Sequence, residues 1–246
     1  MTDTIATLLY LLAAATIAWG GWLWRSGRIA ALQWALIAAS SLATLSSLKL
    51  LDLHLVLKPI PMAVAMLFVA VRAHSAGGLA RNDLLLLAAL LFSLGGDVFL
   101  MLPGNYFIPG LASFLVAHLF YIALFRQGMP WFASRRGLIA VLGFGATMYA
   151  ILWSHLPDPV LAGAVGAYVT VISLMASQAI GRAKVLGTRD ARWVAVGTCI
   201  FMASDSLIAV NKFLTPIPLE SLWILITYFA AQFLIVHFMP AGRKAA

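Results

Sequence analysis

The stretch DLLLLAALLFSLGGDVFLML, residues 83–102, decides the fold. Apart from an acidic residue at its start and another, Asp97, near its end, its twenty residues are apolar or small. A helix of this length rises about 30 Å, the thickness of the hydrocarbon core of a bilayer. The stretch therefore predicts a transmembrane helix that carries a carboxyl group inside the membrane.

The rest of the chain repeats this composition. Of its 246 residues, 63% are hydrophobic and only 10% are charged, whereas a soluble domain carries roughly 25% charged residues. Nine apolar stretches follow one another: Ile5–Trp24, Ile29–Leu48, Leu57–Val71, Asp83–Leu102, Phe107–Phe125, Gly137–Trp153, Val160–Ile180, Trp193–Asn211 and Ser221–Phe238. We predict an all-α fold, a polytopic transmembrane bundle of about nine helices that forms a single integral membrane domain over residues 1–246.

Basic side chains collect in alternate loops of this predicted bundle. Only Lys49, Lys58 and Lys212 fall on one side. The other side holds thirteen of the sixteen lysines and arginines: Arg25, Arg28, Arg72, Arg81, Arg126, Arg135, Arg136, Arg182, Lys184, Arg189, Arg192, Arg243 and Lys244. Because basic loops stay in the cytoplasm, we predict that the N-terminus lies outside, the C-terminus inside, and the protein in a bacterial inner membrane. The net charge of +8 then reflects these loops and does not indicate a nucleic-acid partner.

Two carboxyl groups lie inside predicted helices, where an ionisable side chain costs roughly 2.5–3.5 kcal/mol to insert. Asp97 and Asp205 are each a few residues from the outer ends of their helices, about 7–11 Å inside the membrane edge. Lys58 and Lys212 lie at the same outer rim, together with Asn105. The common depth predicts a polar cavity between the helices. Glycines 95 and 96 would let another helix or a substrate approach Asp97 closely.

Two further pairs of polar side chains share helix faces. His118 and Tyr121 are three residues apart on the fifth predicted helix, and Tyr228 and Gln232 are four apart on the last. Either pair can line the cavity or make interhelical hydrogen bonds. A lone histidine in a helix is more often a hydrogen-bonded packing residue than a catalyst.

Five short motifs resemble the YhhN family. They are Lys58-Pro59, SLGGDVFLM at 93–101, GLASFLVAHLFY at 110–121, SDSLIAVNKF at 204–213 and YFAAQFLI at 228–235. The resemblance covers about residues 35–240 in unbroken order. It implies a core of eight helices, here over residues 29–240, so that residues 1–28 form an additional N-terminal helix.

The resemblance also implies an activity, because animal members of the family include lysoplasmalogenases. It implies hydrolysis of the vinyl ether bond of a lysoplasmalogen, giving a fatty aldehyde and a glycerophospho-ethanolamine or -choline. The partners would be this lysophospholipid and the lipid bilayer. The positions carried over as site residues are Lys58, Asp97, His118, Tyr121, Asp205, Asn211 and Lys212.

The residues suit that chemistry. Protonation of a vinyl ether carbon gives an oxocarbenium ion, and paired carboxyl groups serve similar ions in glycosidases. We expect Asp97 and Asp205 to be the catalytic pair, with no metal or cofactor. We favour Asp97 as the acid, because no lysine is near it on its own helix. Lys58 and Lys212 would hold the phosphate, and Tyr228 and Gln232 would line the substrate site.

Two other functions fit the same residues. Asp97, His118 and Asp205 could bind a metal in a membrane lipid hydrolase. Alternatively, the two aspartates could form the binding site of a lipid or ion transporter. The GxSxG, HExxH, P-loop and GxGxxG motifs are absent from the sequence.

Overall fold

The computed structural model describes residues 3–51 and 53–242. Every regular element within these residues is an α-helix. The helices are α1 Asp3–Arg25, α2 Ala31–Ser47, α3 His54–Leu57, α4 Ile60–Ser75, α5 Arg81–Met101, α6 Phe107–Arg126, α7 Arg135–Trp153, α8 Pro159–Leu186, α9 Arg189–Phe213 and α10 Glu220–Phe238. The basic tail residues Arg243 and Lys244 lie outside the described residues.

The prediction of an all-α transmembrane bundle of about nine helices is confirmed. The short α3 runs into α4 through Lys58 and Pro59, so that the two form one segment of 22 residues. Counted in this way, the described residues contain nine helical segments, and eight of them are long and apolar enough to cross a membrane. Helix α2, with 17 residues, is the shorter exception. The protein is a multi-pass membrane protein.

The ends of α8 follow from local capping. Asp158 accepts a hydrogen bond from the backbone N–H of Leu161 at 2.8 Å, and Pro159 occupies the first turn, where no N–H partner is lost. Helix α8 continues to Leu186, two turns beyond its predicted end at Ile180. It stops only at Gly187, whose φ of 65° suits a glycine after a helix.

The helices pack around a common core, with α1 and α7 at its periphery. Helix α6 lies between α5 and α8, and α9 packs against both α8 and α10. Helix α2 contacts α4 and α10, while α1 packs chiefly on α2. The four largest fully buried side chains, Met62, Tyr121, Phe125 and Phe201, come from α4, α6 and α9, and most of the next largest come from α5, α8 and α10. The interior therefore lies among α4–α6 and α8–α10.

A polar cluster joins several helices at one end of the bundle. Arg72 donates to the backbone oxygens of Val236 and Met239 and lies 3.8 Å from Asp83. The Asp83 carboxylate also accepts from the backbone N–H of Gly242. These contacts place the ends of α4 and α10 beside the start of α5, as the alternating basic loops require. The side of the membrane on which this end lies stays a prediction.

Candidate active site

A cavity of about 380 Å³ opens at the other end of the bundle, away from the Arg72 cluster. It lies among α3, α5, α6, α9 and α10. Six of the nine predicted site residues line it: Lys58, Asp97, Asp205, Asn211, Lys212 and Tyr228. The predicted convergence of the two aspartates on one cavity is therefore present in the structure.

Asp97 is held by a tyrosine of another helix. It is 4% exposed, and its Oδ2 accepts a hydrogen bond of 2.7 Å from the Tyr228 hydroxyl of α10. Lys58, at the junction of α3 and α4, interacts electrostatically with it. No lysine lies on the helix of Asp97, as the sequence indicated, but a neighbouring segment supplies a cation. Which aspartate is the acid stays a prediction.

Asp205 is held in the same way by a residue that the sequence analysis missed. The Tyr168 hydroxyl of α8 donates to its Oδ2. The Asp97 carboxylate also interacts electrostatically with Asp205. Each aspartate thus has one carboxylate oxygen fixed by a tyrosine, while its other oxygen accepts no hydrogen bond from the described part of the chain.

Asn211 and Ser204 shape the outer part of the cavity. Asn211 Oδ1 accepts from the backbone N–H of Ile217 at 2.9 Å, which fixes the turn after α9. The Ser204 hydroxyl donates to the backbone oxygen of Ile224 and ties α9 to α10. The amide nitrogen of Asn211 makes no hydrogen bond to any residue that the structure describes. Ser47 and His54, which the sequence analysis did not select, line the cavity as well.

The three remaining predicted site residues lie outside the cavity lining. His118, Tyr121 and Gln232 are fully buried. The Tyr121 hydroxyl donates to Gln232 Oε1 at 2.6 Å, and Gln232 follows Tyr228 by one turn of α10. Tyr121 and Gln232 therefore lie one helical turn below Tyr228, the residue that holds Asp97, and His118 belongs to the same buried layer, three residues before Tyr121 on α6.

His118 packs between aromatic rings. Its ring centroid lies 5.2 Å from that of Tyr168 and 5.0 Å from that of Phe201. The predicted alternative of a metal held by Asp97, His118 and Asp205 is not formed. No group of three His, Cys, Asp or Glu residues in the described part of the chain is placed to hold a metal ion.

A narrow apolar groove continues from the cavity between α6, α7, α8 and α9. The cavity and the groove share five lining residues: Leu100, Phe107, Phe114, Asp205 and Ile208. The groove reaches the outer surface of the bundle at Phe144, which is 48% exposed. Asp205 is the polar member of the shared set, so its carboxyl group lies where the polar and the apolar compartments meet.

Gly96 permits the close contact of α5 with α6. A Cβ atom at this position would overlap the ring of Phe114, and one at Gly95 would lie 2.7 Å from Ser113 Oγ. The two glycines therefore face another helix, which is one of the two predicted alternatives. Phe114 lines both the cavity and the groove, so the position of its ring sets the shape of the junction.

We expect Gly96→Ala to destabilise the protein by about 1–3 kcal/mol, because the added methyl group overpacks a fixed contact. The loss should appear as a lower midpoint of thermal aggregation in detergent. Gly143→Ala on α7 is the matched control, since a Cβ there meets nothing within 4 Å. Equal midpoints for the two variants would contradict this account of the α5–α6 contact.

Fold and site together define a class: an α-helical, multi-pass membrane protein in which two carboxyl groups converge on a cavity between the helices. The chain belongs to the YhhN family, whose sequence model matches residues 53–239. The match begins after α2. The division into an additional helix over 1–28 and a family core over 29–240 stays a prediction.

The chain is similar to several curated proteins. A human lysoplasmalogenase is 36% identical over 164 residues, which are 63% of this chain and 65% of that protein. A lysoplasmalogenase of Mycobacterium tuberculosis is 32% identical over 225 residues, which are 86% of this chain and 83% of that protein. A pig lysoplasmalogenase is 34% identical over 174 residues, 70% of each chain. This chain spans 65% of the length of the human relative that it matches. No solved structure matches the chain.

Proposed function

We propose that this protein hydrolyses the vinyl ether bond of a lysoplasmalogen in the lipid bilayer, releasing a fatty aldehyde and a glycerophospho-alcohol. One observation carries the proposal: Asp205 lies at the junction of a polar cavity and an apolar groove. The vinyl ether is likewise the junction of an apolar chain and a polar glycerophosphate. A lysolipid that places its alkenyl chain in the groove and its glycerophosphate in the cavity brings this bond to Asp205. The family membership and the names of the relatives agree with that assignment.

The groove defines how the alkenyl chain is held. Its free volume is about 60 Å³, enough only for the part of the chain next to the ether. The rest of the chain leaves the bundle past Phe144 and lies among the lipid chains. A substrate can therefore enter sideways from the membrane and need not pass through water.

Asp205 is the acid in this mechanism. It faces the apolar groove, where the carbon to be protonated lies, and it lies beside a second carboxylate and a tyrosine. Its proton goes to the alkenyl carbon that is not bonded to oxygen, and the double bond supplies the electron pair. The product is an oxocarbenium ion on the carbon that is bonded to oxygen.

Asp97 is the ionised partner. Lys58 compensates its charge, and Tyr228 fixes one of its oxygens. The carboxylate stabilises the oxocarbenium ion and takes a proton from the attacking water. The hemiacetal then collapses: Asp205 takes the proton of the new hydroxyl group, and Asp97 returns its own proton to the departing glycerol oxygen. Both aspartates end in their starting states, and one water molecule has been consumed.

The buried layer of His118, Tyr121 and Gln232 has a positioning role in this proposal. Tyr121 holds Gln232, and Gln232 lies beneath Tyr228, which in turn holds Asp97. Lys58 and Lys212 lie near the mouth of the cavity, where they can bind the phosphate. We further propose, from the basic loops, that this mouth faces the outer side of a bacterial inner membrane.

The decisive experiment compares two lipids that differ in one double bond. Purified protein in detergent is incubated with an alkenyl lysophosphoethanolamine and with its saturated alkyl ether analogue, and aldehyde is measured. We expect aldehyde from the alkenyl lipid alone, because the saturated ether offers no carbon to protonate. Binding or uptake of both lipids with no aldehyde from either would overturn the proposal in favour of a transporter.

A further inference from the structure

A second compartment of about 410 Å³ lies beside the cavity, at the same end of the bundle. It is bounded by the loop before α6, the loop between α7 and α8, and the end of α9. Phe107 and Lys212 line both this compartment and the cavity. The two spaces are therefore neighbours that meet at the Phe107 and Lys212 side chains.

The compartment contains one fixed charge of each sign. Lys212 is held at the boundary, with its Nζ 4.6 Å from the centroid of the Phe107 ring. On the other side, Asp158 caps α8 with Oδ1, and its Oδ2 makes no hydrogen bond to any described residue. Asp158 and Lys212 form no ion pair with each other, although they line one compartment. Both charges are available to a ligand.

We propose that this compartment binds the zwitterionic head group of the lysolipid, with Lys212 on the phosphate and Asp158 on the ammonium group. The inference rests on the proposed function. In such a lipid the phosphate lies between the glycerol and the amine, and Lys212 lies between the cavity and Asp158. The order of charges along the lipid is therefore the order of charges along the protein.

Chemical complementarity favours an amine over other groups at Asp158. A carboxylate attracts an ammonium group and repels a second phosphate or a carboxylate. Asn105 and His155 add hydrogen-bonding groups to the same space. The compartment lies at the exposed end of the bundle, where a charged head group stays hydrated, so the contribution of Asp158 is to preference among lipids more than to total affinity.

Binding of non-hydrolysable lipids tests this inference separately from turnover. The probes are a saturated alkyl lysophosphoethanolamine and the alkyl lysophosphate that lacks the amine, each titrated against full-length protein in a nonionic detergent. Asp158→Asn removes the charge but keeps the helix cap, because asparagine caps as well as aspartate. We expect this variant to bind the amine lipid about five-fold more weakly and the amine-free lipid with unchanged affinity. Lys212→Met should weaken the binding of both lipids.

The matched control is Asp190→Asn, which removes an exposed carboxylate from the first turn of α9 at the far end of the bundle. It should leave both affinities unchanged. Equal effects of Asp158→Asn on the two lipids, or no effect on either, would overturn the head-group assignment. Neither probe is hydrolysed, so binding is measured independently of turnover. If the variants show the expected affinities but the alkenyl lipid releases no aldehyde, the proposed function is contradicted and the head-group assignment is not.

Discussion

Asp205→Asn is expected to lower aldehyde release from an alkenyl lysolipid by about a thousandfold, the scale on which a positioned general acid contributes. An amide has the shape of the carboxyl group but cannot transfer the proton that starts the reaction. The affinity for the saturated ether analogue should change little, since Asp205 acts on the carbon and not on the head group. The turnover number in detergent is the quantity to measure, with the analogue affinity as the check that the site is intact.

Two companion variants separate the acid from its surroundings. Tyr168→Phe removes the hydrogen bond to Asp205 but leaves the carboxyl group, so we expect about a tenfold loss of turnover. Asp205→Ala should regain activity when formic acid is added, because the 380 Å³ cavity admits a small acid where the side chain was removed. Wild-type turnover in Asp205→Asn would show that the proton comes from elsewhere.

The parts of the site that the sequence predicted share one physical property. A carboxyl or ammonium group inside a membrane is costly, so Asp97, Asp205 and Lys58 are conspicuous in an apolar sequence. The common depth of the two aspartates could be read from residue counts along two helices that run in the same direction. In the same way, the nine successive apolar stretches predicted the number of helical segments that the described residues contain.

The parts that the sequence could not predict depend on which helix faces which. Tyr168 gave no signal, because a tyrosine is tolerated in an apolar helix, and its role appears only when α8 lies beside α9. The electrostatic interaction of Lys58 with Asp97 joins residues 39 positions apart, so no sequence pattern indicated it when Asp97 was favoured as the acid, and which aspartate is the acid stays a prediction. His118, Tyr121 and Gln232 were predicted as substrate ligands, with interhelical hydrogen bonding or packing as the alternative. Packing places them one layer below the cavity, where Tyr121 and Gln232 form such a bond.

Asp97→Asn is expected to lower turnover by about 10²–10³-fold. Removing one preorganised group that stabilises transition-state charge lowers turnover by a similar factor. The acid is still present in this variant, but the oxocarbenium ion lacks its counter-charge and the water lacks its base. Tyr228→Phe should lose much less, because it removes only the hydrogen bond that fixes one carboxylate oxygen.

Because Lys58 interacts electrostatically with Asp97, Asp97→Asn has a second expected effect, on thermal stability. Once the carboxylate is replaced, Lys58 is a half-buried cation without its counter-charge, so Asp97→Asn should also lower the midpoint of thermal aggregation. Adding Lys58→Met, which keeps the length of the side chain and removes the charge, should restore that midpoint while turnover stays low. Such non-additivity is expected of two charges that interact electrostatically. If the double variant is instead less stable than either single variant, Lys58 does not compensate Asp97, and the assignment of Asp97 as the ionised partner fails with it.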